Sequence, residues 1–197
     1  MRSFAATLIL TVSLALLFFV GAGCSSDDNS SLAGKTSSEG SAASEGKIAG
    51  KFGSKIGDVA PDFTLKRLTG NDLSLSDFRG KAVLVDFWDT WCPPCRRAMP
   101  HLQELSEIYD DQLVVIGVAF GREGLAKVQS YVAQNNLTFE MVIFDESSSI
   151  LQDFGGIQSL PTTFMIDADG VIRNRWVGAA DKKTYEKAIV AAIGTEI

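Results

Sequence analysis

The chain has 197 residues, 46% hydrophobic and 21% charged, a composition that fits one globular domain of ordinary size and excludes a wholly disordered chain. Its formal charge is −6; leaving out residues 1–23, whose one charged side chain is Arg2, 17 basic side chains face 24 acidic ones, and this −7 argues against nucleic acid as a partner. Three cysteines and one histidine, His101, are too few for a closed four-ligand zinc site without carboxylates or a second chain, so no metal is expected.

Residues 4–20, FAATLILTVSLALLFFV, follow Arg2 and precede the small residues Gly21, Ala22 and Gly23. This is the layout of a secretory signal and predicts that the remainder of the chain is exported. Cys24, directly after the small triplet, resembles the lipidated cysteine at the cleavage box of bacterial lipoproteins, with Gly21 where that box usually has Leu. The alternative is an uncleaved anchor, since residues 4–23 approach the ~20 apolar residues that span a bilayer, although Thr7, Thr11 and Ser13 interrupt them. Both readings put the membrane among the partners and the folded part in the cell envelope, on the periplasmic or extracytoplasmic side. From Ser25 to Lys55 Ser and Gly dominate and little is apolar, which predicts a flexible tether with an r.m.s. span of about 30 Å. The expected organisation is a signal over 1–23, a tether over 24–55 and one folded domain over 56–197.

Within the folded part, Val59–Leu65 and Leu73–Leu75 flank the turn Thr69-Gly70-Asn71-Asp72 and predict an entrance β-hairpin. Ala82–Trp88 and Leu113–Ala119 are near-continuous apolar runs, read as buried strands, and between them a helical segment carries Ala98, Leu102, Leu105 and Ile108 on one face. This is a βαβ unit. Leu125, Val128 and Val132 predict a second helix ending near Asn135-Asn136, followed by a strand over Phe139–Phe144 and a short helical turn over Ile150–Phe154. Thr163–Asp167 and Val171–Val177, joined through Asp169-Gly170, predict a terminal hairpin. Asp181 then caps a last helix with Tyr185, Ala188, Ile189 and Ala192 on one face. The order gives an α/β sandwich with a mixed sheet.

Chemistry concentrates at Trp91-Cys-Pro-Pro-Cys95, where the Ala82–Trp88 strand ends and a helix begins. Cys92 falls at the helix N-terminus, where unpaired N–H groups and the positive end of the helix dipole stabilise a thiolate, and Cys95 lies one turn inside, placed to resolve a mixed disulfide. Pro93 and Pro94 are tolerated in a first helical turn but withdraw donors, so only a moderate depression of the Cys92 pKa is expected, partly offset by Arg96 and Arg97. An isolated CxxC can equally be half a zinc site or two inert thiols.

The surrounding residues decide between these. Lys81 to Pro100, KAVLVDFWDTWCPPCRRAMP, resembles thioredoxin-family proteins almost position by position, Ser159 to Asp167, SLPTTFMID, resembles the family's cis-proline segment, and Val177-Gly-Ala179 its substrate-loop glycine. The resemblance covers about residues 56–195. With the signal, the tether, the entrance hairpin and the extra helix near 122–135, it points to the TlpA/ResA branch of thiol:disulfide oxidoreductases. The resemblance implies a thioredoxin fold, a mixed central sheet flanked by helices, with an N-terminal β-hairpin and an extra central helix and strand. It implies that Pro161 is cis and faces Cys92, and that the backbone of Leu160 pairs with a bound substrate strand. Trp91, Pro93, Pro94, Leu160, Pro161 and Gly178 are the expected substrate contacts. The implied partners are thiols and disulfides of exported proteins, apocytochrome c among them, and a membrane-embedded thiol donor, with no cofactor beyond the Cys92–Cys95 disulfide.

Two departures bear on mechanism. Ala98 stands where ResA-type relatives often carry glutamate, and Asp86, in an otherwise apolar strand, matches the buried aspartate of thioredoxin itself. A buried carboxylate has a raised pKa and can exchange a proton near neutral pH, so Asp86 is expected to serve Cys95; the alternative is a strand-end aspartate that reaches water. Trp88, Trp91 and Phe87 are read as packing and shielding groups around the sulfurs, Trp91 also as a candidate partner contact, and Arg173 and Arg175 as a solvated face.

Two other functions compete. A peroxiredoxin-like thiol peroxidase shares the fold, but that family places Thr or Ser three residues and Pro seven residues before its attacking cysteine, and here those positions are Asp89 and Val85. A copper-delivery protein of the Sco type needs a CxxxC and a distant histidine, against the CxxC and nearby His101 of this chain.

Overall fold

The structure, a computed structural model, describes residues 50–194. The expected signal, Cys24 and the tether as far as residue 49 lie outside the described residues. Two short strands open the fold, β1 (Thr64–Arg67) and β2 (Asp72–Ser74), paired antiparallel. This hairpin is shorter and begins later than the apolar pattern suggests. Pro61 has no N–H to give a ladder, and Val59 instead makes isolated bridges to Phe52 and Val171. Leu75 opens a 3₁₀ turn (Leu75–Phe78) because the Asp77 carboxylate accepts the Ser74 N–H at 2.9 Å and bends the chain there. Backbone pairing with the domain also starts before residue 56, since Val59 N–H donates to the Lys51 carbonyl (2.9 Å) and Gly53 N–H to the Val59 carbonyl (3.0 Å).

The chain continues through β3 (Ala82–Trp88), α1 (Pro93–Ile108), β4 (Leu113–Ala119), α2 (Leu125–Gln134), β5 (Glu140–Ile143) and a single helical turn, α3 (Ile150–Asp153). It closes with the hairpin β6 (Thr162–Ile166) and β7 (Ile172–Val177) and with α4 (Lys182–Ala192), whose cap Asp181 accepts the Thr184 N–H at 2.8 Å. The described strands form one sheet in the order β2-β1-β5-β4-β3-β6-β7. β3 pairs parallel with β4 and β4 with β5, while β3–β6, β6–β7, β1–β2 and β1–β5 are antiparallel, the mixed sheet of the thioredoxin fold. The extra helix and strand have a structural purpose: β5 is the strand on which the entrance hairpin pairs, through Lys66↔Ile143 and Arg67↔Val142.

Every residue of β3 is buried, so its alternation divides two cores. Ala82, Leu84 and Trp88 face the core that holds Cys92, Cys95, Met99, Leu102, Leu105, Tyr185 and Ile189, whereas Val83, Val85 and Phe87 face the one that holds Phe63, Phe154, Phe164 and Ile172. Phe87 therefore does not shield the sulfurs; with period two it points to the opposite side, where it meets Phe154 and Phe164 edge-on at centroid distances of 5.6 and 6.1 Å. Ile108 likewise leaves the expected stripe and is 52% exposed, because the buried positions Cys95, Ala98, Met99, Leu102 and Leu105 continue at a four-residue step to Tyr109, not at three.

Candidate active site

Cys92 is the N-cap of α1 and Cys95 its third residue, and the two are joined as a disulfide with Cα atoms 5.3 Å apart. Pro93 and Pro94 occupy the first two helical positions and have no N–H. The first donor of the helix is thus the Cys95 N–H, and it points at Cys92 Sγ at 3.3 Å; the next, Arg96 N–H, goes to the Cys92 carbonyl at 3.1 Å. On reduction a thiolate at Cys92 keeps that one donor and the end of the helix dipole. Cys92 is 2% exposed and Cys95 fully buried, so Cys92 is the more accessible of the two. Of the two arginines after the motif, Arg96 sits over the Tyr131 ring, 5.8 Å from its centroid.

The turn between β3 and α1 is braced by a residue pair that sequence reasoning missed. Asp89 is fully buried; its Oδ1 accepts the Thr90 N–H (2.7 Å), its Oδ2 accepts the Arg122 N–H (3.1 Å), and its carbonyl accepts the Cys92 N–H (3.2 Å). Thr90 Oγ1 donates to Glu123 Oε2 at 2.7 Å, and the Arg122 guanidinium lies 5.6 Å from the centre of the Trp91 ring. The β4–α2 loop thereby holds the turn that carries Cys92, and Trp91, 46% exposed, flanks the site at the surface. An acidic residue before a CxxC was visible in the sequence, but nothing in it named Arg122 as the partner.

Below the helix, Asp86 shares the β3 face of Leu84 and Trp88, and so the core of Cys95. It is fully buried. Oδ1 accepts a hydrogen bond from Thr163 Oγ1 at 2.7 Å, whereas Oδ2 makes none among the described residues. Burial pushes its pKa up to about 7, against a smaller lowering by the Thr163 hydroxyl. No ion pair among the described residues reaches it.

The Leu160–Pro161 peptide is cis. Pro161 is buried, its carbonyl accepts the Gly178 N–H at 2.8 Å, and the adjoining Thr162 pairs with Val177, so the two segments read as substrate-binding meet through the backbone. Gly178 has φ +93°, a conformation that L side chains rarely adopt. Leu160 is half-buried between the two cores, Pro93 is exposed and Pro94 half-buried. Arg173 and Arg175 are exposed, the first paired with Asp167 and the second over the Phe164 ring at 5.3 Å.

A helix-capping dithiol pair, a cis-proline segment and a sheet of this order define a thioredoxin-fold oxidoreductase. The AhpC/TSA family matches residues 56–175, and the chain belongs to that family. It is 39% identical over 141 residues to the thioredoxin-like protein YneN of Bacillus subtilis, covering 71% of this chain and 81% of that one. It is 40% identical over 133 residues to the thiol-disulfide oxidoreductase ResA of Geobacillus kaustophilus, covering 67% and 75%. Among solved structures it resembles a thiol:disulfide interchange protein of the thioredoxin family from Chlorobium tepidum, with a TM-score of 0.63 and 28% identity over 68% of this chain and 95% of that one. The protein is a thiol:disulfide oxidoreductase.

The buried carboxylate has a consequence for stability. The folded chain holds the Asp86 proton up to about pH 7, whereas an unfolded aspartate releases it near the ordinary value of 3.8. The folded state therefore binds the extra proton between those values, and the stabilisation is complete at the acid end and lost as the pH rises through 7. Urea unfolding should show the wild type losing about 2–3 kcal/mol more than Asp86→Asn between pH 5 and pH 8.

Proposed function

We propose that this protein is held at a membrane surface outside the cytoplasm and reduces disulfides in exported proteins through Cys92 and Cys95, with Asp86 taking up the resolving proton. The observation that carries the reading is the dithiol pair at the start of α1 above a buried carboxylate on the same face of β3. The apolar segment over residues 4–20 and Cys24 support export and attachment, and the resemblance to the TlpA/ResA branch supports reduction as the direction. Trp91, Pro93, Pro94, Leu160, Pro161 and Gly178 form the contact surface for the client strand.

The chemistry runs in two exchanges. The Cys92 thiolate attacks one sulfur of the client disulfide, forming a mixed disulfide and expelling the first client thiolate. Cys95 passes its proton to the Asp86 carboxylate, its thiolate attacks Cys92 Sγ, and the second client thiolate leaves. Two electrons have moved from the dithiol to the client, and the Cys92–Cys95 disulfide waits for a membrane-embedded thiol donor to reduce it. Apocytochrome c is one client of suitable chemistry, since its cysteines must be reduced before haem attachment.

Four measurements test this. Cys95→Ser should accumulate mixed disulfides with exported proteins through Cys92, recovered by diagonal gels after acid quenching, and Cys92→Ser should trap none. Asp86→Asn should release the client about 10- to 100-fold more slowly at pH 7 and lose the rise in rate that the wild type shows between pH 6 and 8; a wild-type rate across that range would remove Asp86 from the mechanism. The reduction potential of the Cys92–Cys95 couple should lie near −270 mV, about that of thioredoxin, while a value above about −180 mV would reverse the direction of exchange, and rapid thiol-dependent loss of hydrogen peroxide would favour a peroxidase instead.

A further inference from the structure

Asp86 lies in one lateral row of the sheet, with Gly117 beside it on β4 and Thr163 beside it on β6, and Trp176 follows Thr163 on β7. Gly117 contributes no side chain: a Cβ there would meet Met141 Sδ at 2.6 Å and Trp88 Nε1 at 3.0 Å, so the space beside the carboxylate on that flank is already filled. On the other flank stands a string of hydroxyls. Thr163 Oγ1 donates to Asp86 Oδ1 at 2.7 Å, Tyr185 OH lies 3.3 Å from Thr163 Oγ1, and the Ala180 N–H donates to Tyr185 OH at 3.3 Å.

The direction of every bond in this string follows from its ends. A backbone N–H can only donate and an ionised carboxylate can only accept. Thr163 has one proton and gives it to Asp86, so Tyr185 must donate to Thr163, and its own oxygen lone pair receives the Ala180 N–H. Asp86, Thr163 and Tyr185 are all buried, and the Trp176 ring packs edge-on against Tyr185 with centroids 5.3 Å apart, so the bonds among these three side chains lie in the protein interior. Of the two carboxylate oxygens, Oδ1 accepts the Thr163 hydroxyl and Oδ2 is without a partner among the described residues.

We propose that Thr163 and Tyr185 are positioning residues for the Asp86 proton relay: the oriented string Ala180–Tyr185–Thr163 holds Oδ1 in place and leaves Oδ2 as the single atom that takes up and returns the Cys95 proton. The inference rests on the relay assigned to Asp86 above. The string is also tied to the client-binding surface, since Ala180 stands two residues after Gly178, whose N–H binds the Pro161 carbonyl. Thr163 from β6 bonds Asp86 and Tyr185 from α4 bonds Thr163, Cys95 from α1 and Trp88 from the same strand belong to the core on that face of β3, and no ion pair among the described residues involves Asp86. Removing the Thr163 hydroxyl therefore removes the side-chain bond that favours the ionised carboxylate, and removing the Tyr185 hydroxyl removes the group that orients it.

The test is an infrared titration of the Asp86 carboxyl in the full oxidised chain, with Asp86→Asn as the blank that identifies its C=O band. Thr163→Val should raise the Asp86 pKa by about one unit, Tyr185→Phe should raise it by less, and Thr163→Ser, which keeps the hydroxyl, should leave it at the wild-type value. In the exchange assay the pH at which client release accelerates should move upward in step. An unchanged Asp86 titration in both Thr163→Val and Tyr185→Phe would overturn the positioning role while leaving the relay in place. A wild-type release rate in Asp86→Asn would instead overturn the relay, and this proposal with it.

Discussion

The structure depends on β3 having neither an edge nor an exposed face. It lies between parallel β4 and antiparallel β6, and all seven of its residues are buried. A strand in that position cannot slip by one residue without exchanging the contents of two cores, which would carry Asp86 and Trp88 into the aromatic cluster of Phe63, Phe154 and Phe164. Its register with both neighbours is consequently set by packing. That register places Asp86 opposite Gly117 and Thr163 and delivers the chain at Trp88 to the point where α1 starts.

From that point the chemistry derives from what the first turn of α1 lacks. Two consecutive prolines leave the Cys95 N–H as the first backbone donor of the helix, and it is directed at Cys92 Sγ. The sulfur sits on a turn that Asp89 bonds to the β4–α2 loop. Two buried aspartates three residues apart thus have opposite environments. Asp89 accepts a backbone N–H on each carboxylate oxygen and braces the turn, whereas Asp86 has one donor on Oδ1 and none among the described residues on Oδ2, and burial raises its pKa into the range where a proton can be exchanged.

Much of this was legible in the residues themselves. The CxxC is contiguous, and its place between an apolar run and an amphipathic one locates it at a helix start without any tertiary information. Asp86 stands out as a single charge inside seven otherwise apolar residues. The differences are of side, not of element: an apolar run buried on both faces carries no mark of which side holds the active site, so Phe87 lies in the core away from the sulfurs, and Ile108 turns outward where the buried stripe of α1 passes to Tyr109. The entrance hairpin was displaced because Pro61 and the Asp77 cap outweigh the apolar alternation around them.

The sequence by itself determined the order of elements, the dithiol at a helix N-terminus, the cis-proline segment by its resemblance to a known family, and the acid in the central strand. These are local properties, written in composition and in spacings of two, three or four residues. Only the tertiary structure decided the partners of Asp86 and Asp89, because the bonds that define them join residues 77 and 33 positions apart, and Tyr185 reaches Thr163 across another 22. A threonine in a strand and a tyrosine on a buried helix face look like ordinary packing until strand register and helix docking bring their oxygens together. The physical reason is that hydrogen bonds are specified at a few tenths of an ångström, whereas hydrophobic patterning specifies only which face is turned inward.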